Sequence, residues 1–413
     1  MFNKKMSCEN LQGDFSFRKY RRDILYFVFY FVLFLVVYSS MFMRLGLHWD
    51  ELLDRYGGAN GTYVAAGRWG LALFRSILGK GAMPWFYGLV AAGSIAVALV
   101  LQVRMFRFET SLLRVLYGAL YISCTQFLYQ LRYSYQGDAV AFGILCATVG
   151  MYILSTSNFN RSRAMVAVLL FIASLAMYQS LGVYIVALGL CWLLIREDDS
   201  YLLKRAVFLF LCLSSASIVW LGISKIAISI GCASRSDVCY MNAVQDGLVG
   251  WKAMLEEAHK GNYYIMKWYL LLIPRVVLGT TYAGAWLYAT VLVPFLVLSW
   301  KSLLRGRICY FRMFALTVLW LSPCATSLIM GWACPQVRAE LATPLSLAFL
   351  WIFYLRDYRL VGRRAIFSLL LALFVLVRAG YTVSSYAWRE RIETIRTHHV
   401  ENTIARDYFP SHQ

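Results

Sequence analysis

The sequence predicts an all-α polytopic membrane protein with about eleven transmembrane helices, and three observations carry that expectation. Hydrophobic residues fill 60% of the 413 positions and charged residues only 15%, far more apolar surface than one soluble core could bury. The mean hydropathy is positive. The Lys and Arg behind the net charge of +19 gather in short segments between apolar runs, a pattern that reports membrane topology and argues against nucleic acid as a partner.

Residues 1–22 are polar and basic, with Lys4, Lys5, Arg18, Lys19, Arg21 and Arg22, and read as a cytoplasmic tail. The apolar run 24–43 is long enough to cross ~30 Å of hydrocarbon as a helix. Its length and the lack of a small-residue cleavage site mark it as a retained span. Further spans are expected near 83–103, 111–131, 138–154, 164–177, 180–195, 206–230, 277–300, 308–331, 344–355 and 365–386. The basic groups Arg104/Arg107, Arg161/Arg163, Lys204/Arg205, Lys301/Arg305/Arg307 and Arg356/Arg359/Arg363/Arg364 then all fall on the side of the basic N-terminus, which is the cytoplasm. The runs 164–177 and 180–195 are short and read either as a tight hairpin or as one broken element. Only the hairpin keeps the later basic loops on the cytoplasmic side.

The whole chain is expected to form a single integral membrane domain. Its extracytoplasmic face holds a first loop at 44–82, a second large loop at 231–276, shorter connections at 132–137 and 332–343, the Tyr178/Gln179 turn and a tail over 387–413. The stretches 51–56, 63–78 and 254–277 are amphipathic and suit helices lying in the interface. Ten cysteines are scattered as small apolar residues. Cys232 and Cys239 share the second outer loop, where a disulfide and two free thiols are equally consistent with the spacing. No Cys/His cluster offers a metal site, and there is no Walker loop or strand-linked GxGxxG, so neither a nucleotide nor another cofactor is expected.

The first loop carries the densest chemistry, His48 to Arg68. In a helix Asp50 and Asp54 share a face at i and i+4, and Glu51 and Arg55 pair on the next. A carboxylate at the rim of an apolar bundle suits a general base for an alcohol; the plainer alternative is a set of solvated charges capping a span. Arg68, between Gly67 and Trp69-Gly70, is either an anion site or an interfacial anchor. Gln136 and Asp138 sit where a span turns back, and Asp138 reads as a cavity-lining acid or a helix N-cap. Tyr178 and Gln179 bind sugar hydroxyls or simply satisfy a turn. Arg338 binds a phosphate or pairs with Glu340 or another acid. Lys225 and Arg378 lie in apolar runs near their outer ends, where snorkelling is easy.

On these residues the chain resembles the bacterial serotype-converting O-antigen glucosyltransferases, polytopic enzymes of the GT-C class. The resemblance rests on the acidic pair Asp50-Glu51 after the first span (commonly two aspartates in the family), Arg55, Gly67-Arg68, Asp138, Tyr178-Gln179, and Arg338 followed by Pro344. It implies a GT-C-like fold and an inverting glycosyltransferase in the bacterial inner membrane with a periplasmic site. The implied donor is a polyprenyl-phosphate-linked glucose (hexose), and the implied acceptor is O-antigen lipopolysaccharide or a related lipid-linked surface polysaccharide. In that frame Asp50 is the general base, Glu51 positions it or a sugar hydroxyl, and Arg68 and Arg338 stabilise the departing lipid phosphate, with Asp54, Arg55, Gln136, Asp138, Tyr178 and Gln179 contributing to substrate binding. Glu51 in place of the second aspartate lengthens that side chain by a methylene. A divalent cation fits a carboxylate pair but is not required. A flippase and a donor-synthesising glycosyltransferase are the implied partners beside the lipid bilayer. The competing functions are a flippase or transporter for lipid-linked sugars and an O-antigen polymerase.

Overall fold

The computed structural model of the chain describes residues 5–42, 63–64, 67–78, 84–131, 134–156, 160–196, 201–232, 259, 286–304, 309–330, 340–356 and 362–408. Regular structure among them is entirely helical. In chain order the helices are α1 (Lys5–Phe42), α2 (Trp69–Leu78), α3 (Pro84–Met105), α4 (Ser111–Ser123), α5 (Gln126–Leu131), α6 (Ser134–Thr156) and α7 (Arg161–Met177). After these come α8 (Leu181–Ile195), α9 (Leu202–Cys232), α10 (Trp286–Ala289), α11 (Leu292–Leu304), α12 (Cys309–Met330), α13 (Thr343–Arg356) and α14 (Arg363–Tyr408).

Five helices are long and apolar enough to cross a membrane, through the segments Tyr20–Phe42, Trp85–Met105, Gln136–Thr156, Leu202–Ser229 and Arg363–Ile392. The remaining expected spans are represented by shorter helices, of which α4, α8, α12 and α13 are apolar. The expected hairpin at 164–195 is two helices, α7 and α8, joined through Tyr178–Ser180.

One expectation is corrected. The run 111–131 is not one helix but α4 and α5, interrupted at Cys124, whose backbone is extended (φ −70°, ψ 110°). Hydropathy runs straight through the break, but the Tyr38 hydroxyl of α1 donates to the carbonyls of Ile122 (3.0 Å) and Cys124 (2.8 Å), satisfying the oxygens that a broken helix would strand in a dry interior. The helices at the two ends of the chain run beyond the apolar stretches. Helix α1 extends back to Lys5 and α14 runs on to Tyr408, because polarity marks where a chain leaves hydrocarbon and says nothing about where a helix stops.

The core lies where α13 meets α4, α8 and α12. Ten of the fourteen residues of α13 are buried, Pro344 to Leu350 without a break. At the periphery, α9 exposes Phe210, Leu211 and Ile218 and α14 exposes Phe367, Phe374 and Val377, a surface stable only against lipid. Basic residues tie one end of the bundle together. Arg104 of α3 pairs with Asp23 of α1, and Arg163 and Arg196 donate to the carbonyls of Thr156 and Ser155 at the end of α6. Arg104 and Arg163, which the sequence grouped with the basic N-terminus, are among them.

Polar groups within the helices are met internally. Pro323 of α12 has no N–H for the Leu319 carbonyl. That oxygen accepts instead from Ser322 (2.8 Å), while the Tyr288 hydroxyl of α10 donates to Trp320 O at 2.7 Å. In the middle of the bundle Gln102 of α3 accepts from the Tyr117 hydroxyl (2.5 Å) and donates to Tyr184 (2.6 Å) and Thr148 (3.2 Å). All four residues are fully buried, so each bond replaces a polar atom otherwise stranded in a dry interior. Gln102→Leu strands the Tyr117 hydroxyl and is expected to lower stability by about 3 kcal/mol, against about 1 kcal/mol for Thr148→Val, which spares the other two bonds. Thermal unfolding of the two variants in detergent measures the difference.

Candidate active site

At the end of the bundle opposite the basic loops, the chain re-enters the described structure at Tyr63 and turns sharply into α2. The Gly67 N–H donates to Val64 O (2.9 Å) and the Arg68 N–H to Tyr63 O (2.8 Å). Gly67 sits at φ +73°, and a Cβ there would meet the Gln179 amide at 3.1 Å, so both backbone and space select glycine. Three residues on, a Cβ at Gly70 would lie 2.7 Å from the Cβ of Ala176. The missing side chain lets α2 close directly onto the end of α7.

This close approach seats Arg68 among residues from three separate segments. Its Nε donates to Gln179 Oε1 and its Nη1 to Gln136 Oε1, both at 3.4 Å, and the guanidinium stands 4.5 Å over the Tyr178 ring. Gln136 and Tyr178 are buried, whereas Arg68 and Gln179 remain partly accessible. Every one of these partners is neutral. Among the described residues no carboxylate pairs with Arg68, so these partners hold its charge in place without compensating it. Long amide bonds and a ring face orient a guanidinium and leave most of its N–H donors for an anion.

A second arginine on the same helix has the opposite environment. Arg75 lies seven residues on, two turns along the same face of α2. It is fully buried and forms a two-pronged ion pair with Asp138 of α6, its Nη1 donating to Oδ2 at 3.0 Å and its Nη2 to Oδ1. The Tyr87 ring of α3 lies 4.4 Å from the same guanidinium. Asp138 is not the N-cap of its helix, since α6 begins at Ser134. Its carboxylate is engaged by Arg75 and by the Ala139 N–H at 2.8 Å. A small cleft, with room for about one water, borders the pair, with Met41 and Phe42 at the end of α1, Tyr87, and Leu131 in its walls. The first loop leaves α1 from this cleft's edge.

Of the residues expected from sequence, Arg68, Gln136, Tyr178 and Gln179 come together, and Asp138 lies beside them on α6. Asp50, Glu51, Asp54, Arg55, Arg338 and Cys239 lie outside the described residues. Lys225 is exposed on α9, and Arg378 is exposed on α14 against the Tyr381 ring at 5.2 Å; neither enters the cluster. Arg75 was not foreseen, and the spacing Arg68/Arg75 on an amphipathic stretch is the signal that could have found it. Gln126 and Gln130, one turn apart on α5 and both buried, are a further polar pair set in an apolar run. The described residues contain no group of three His, Cys, Asp or Glu suited to a metal ion.

The family model described as Glucosyl transferase GtrII matches residues 40–386, a span that includes every candidate from Asp50 to Arg338. No curated protein and no solved structure matches the chain.

Removing one member of the Arg75–Asp138 pair leaves an uncompensated charge in the interior. Asp138→Asn is expected to destabilise the protein by about 3–5 kcal/mol, whereas the double replacement Arg75→Met with Asp138→Leu recovers much of that loss. A double-mutant cycle on unfolding midpoints in detergent reads the coupling directly.

Proposed function

We propose, because the chain belongs to the GtrII glucosyltransferase family, that it transfers a glucosyl residue from a polyprenyl-phosphate-linked donor to O-antigen or a related lipid-linked surface polysaccharide. The reaction takes place at the periplasmic face of the bacterial inner membrane, with the N-terminus in the cytoplasm and a GT-C-like arrangement of about eleven spans. The observation that carries the chemistry is Arg68, a guanidinium fixed by Gln136, Gln179 and Tyr178, all neutral, with no acid paired to it among the described residues. A departing polyprenyl phosphate is the anion that such a group suits, since its charge rises as the glycosidic bond breaks.

In this reading the acceptor hydroxyl oxygen attacks the anomeric carbon of the donor glucose and inverts it. A bond forms from that oxygen to C1 while the bond from C1 to the phosphate oxygen breaks, and the electron pair leaves with the phosphate. The hydroxyl proton passes to Asp50, with Glu51 positioning the base or a sugar hydroxyl. Arg68, together with Arg338, takes up the charge developing on the phosphate. Asp54, Arg55, Gln136, Tyr178 and Gln179 hold the sugars and the lipid phosphate. Asp138 acts one step back, by locking α2 through Arg75 and so fixing where Arg68 stands. A flippase that delivers lipid-linked substrate and a glycosyltransferase that makes the donor are the partners this chemistry requires.

The alternative of a different class is a flippase for lipid-linked sugars, which needs a polar passage between the two faces. The Gln102–Tyr117–Thr148–Tyr184 cluster is saturated by its own hydrogen bonds and fully buried, which favours transfer at one end over passage through the middle. A polymerase would extend the polysaccharide itself rather than decorate it.

Arg68→Gln is expected to lower transfer from polyprenyl-phosphate glucose by about 100-fold or more, with Arg68→Lys intermediate, in membranes that contain normal protein levels. Retained activity in Asp50→Asn would remove Asp50 as the base. Linkage analysis of surface polysaccharide with and without the chain reads reaction, sugar and position together. Polysaccharide unchanged by the chain, combined with sugar-lipid movement in liposomes, would favour the flippase.

A further inference from the structure

A second charged group stands without a partner, this time an acid. Glu340 lies just before α13 and is 1% exposed, yet among the described residues neither carboxyl oxygen has a hydrogen-bond partner. Its backbone carbonyl accepts from the Thr343 N–H (3.1 Å) and hydroxyl (2.7 Å), a turn that opens α13 and fixes the direction of the side chain. Packing explains where Glu340 sits but not why an acid occupies the position. A buried carboxyl with no donor is costly, and a leucine or methionine of similar volume would remove the cost.

Its location connects it to the transferase end of the bundle. Glu340 is within electrostatic reach of Tyr288 and Cys324, and Tyr288 is within reach of Cys124. The carbonyl of Cys124 is bonded by Tyr38, four residues before α1 ends. The unpartnered acid is thus linked by successive neighbours to the point from which the first loop, with Asp50 and Glu51, leaves the bundle. It also lies two residues after Arg338 in the chain.

We infer that Glu340 binds a hydroxyl of the glucosyl unit during transfer. The inference rests on the glucosyl-transfer reading given above and assigns one polar contact of the donor sugar within it. A pyranose hydroxyl both donates and accepts, and a buried acid with two unmatched oxygens supplies the complement of either. Arg338, two residues earlier in the chain, is the residue assigned above to the donor's phosphate, which selects the donor glucose over the polysaccharide acceptor. Burial pushes the Glu340 carboxyl up from its ordinary 4.5 to about 8, so near neutral pH it is mostly protonated and able to donate as well as accept. The titratable groups facing it, Tyr288 on α10 and Cys324 on α12, are a phenol and a thiol and carry no charge there.

The sign of the pH effect follows. The folded state holds the Glu340 proton between about pH 4.5 and 8 and the unfolded state does not, so this group lowers stability progressively as pH rises through that window. Glu340→Leu removes the loss, and its melting temperature is expected to rise relative to the parent between those limits. A poorly folded variant is therefore not the expected outcome, and the melting curve checks it.

The decisive experiment uses the full-length protein in native membranes or detergent with polyprenyl-phosphate glucose and a series of donors in which the 2-, 3-, 4- or 6-hydroxyl of glucose is replaced by hydrogen. For Glu340→Leu, which keeps the volume and removes both polar atoms, KM for the parent donor is expected to rise about tenfold with kcat little changed. One deoxy donor is expected to cost the parent enzyme a similar factor and to cost the variant nothing further, which identifies the hydroxyl bound. Parent-like KM in the variant, or the same variant-to-parent ratio with every deoxy donor, overturns the Glu340 assignment while leaving glucosyl transfer intact. Failure of the parent enzyme to transfer glucose from the parent donor overturns the functional reading itself.

Discussion

The Arg75–Asp138 ion pair is the interaction on which the site depends. Helix α2 is only ten residues long, too short to be stable by itself in water or at a membrane surface. It is held against the bundle by the Gly70–Ala176 approach onto α7, the Phe74 ring against Phe142 of α6, Arg75 over the Tyr87 ring of α3 and the two-pronged bond from Arg75 to α6. The ion pair fixes the helix along its length as well as its distance, because a guanidinium meets a carboxylate in one planar arrangement. Arg68, one residue before α2, is placed by that register. Gln136 lies two residues before Asp138 on α6, and Tyr178 and Gln179 follow directly from α7. The segments that clamp α2 are therefore the same ones that present partners to Arg68, and the structural pair and the chemical cluster are two ends of one short lever.

The same constraint sorts the polar residues of the whole chain. A group buried in hydrocarbon must find its hydrogen bonds inside the protein. Tyr38 captures the carbonyls exposed by the α4–α5 break, Ser322 and Tyr288 cover those around Pro323, and Gln102 binds Tyr117, Thr148 and Tyr184. These residues explain their own presence by what they satisfy. Arg68 and Glu340 do not, one being a cation among neutral partners and the other an acid with no donor. Residues whose chemistry exceeds their structural duty are where a substrate has something to supply.

The parts of this that were legible in the sequence share a physical reason. Long apolar runs report hydrocarbon crossing directly, so α1, α3, α6, α9 and α14 fall where the runs lie. Gln136, Tyr178 and Gln179 stood out as polar residues at turns between such runs, and turns at one end of a bundle are near one another whatever the packing. Arg75 and the α4–α5 break were not legible for the converse reason. Arg75 sits in an amphipathic stretch, where a charge reads as solvent-facing until α6 is seen to bring an aspartate to it. The break at Cys124 is stabilised by Tyr38, 86 residues away, and no local pattern carries that information. Asp138 shows the limit in another form. Its position near a span's mouth was visible, but its role as the anchor of α2 rather than a cap depends on the partner.

The contrast between the two arginines bears on why one helix should carry both. An ion pair saturated on both prongs has little left for a ligand, and separating it inside the bundle leaves two buried charges without partners. Arg75 is thus a poor phosphate ligand and a good anchor. Arg68, with a ring beneath it and two long amide bonds beside it, loses little when an anion arrives, because its neutral partners can remain while the free N–H groups turn to the phosphate. Preorganisation of this kind lowers the barrier only if the guanidinium does not have to move as charge develops on the leaving oxygen. A rigid α2 supplies that immobility, which requires the buried pair two turns below. Anchoring and charge stabilisation are therefore not separable tasks on this helix, and a change that loosens Arg75 should appear as a loss of Arg68's function even with Arg68 untouched.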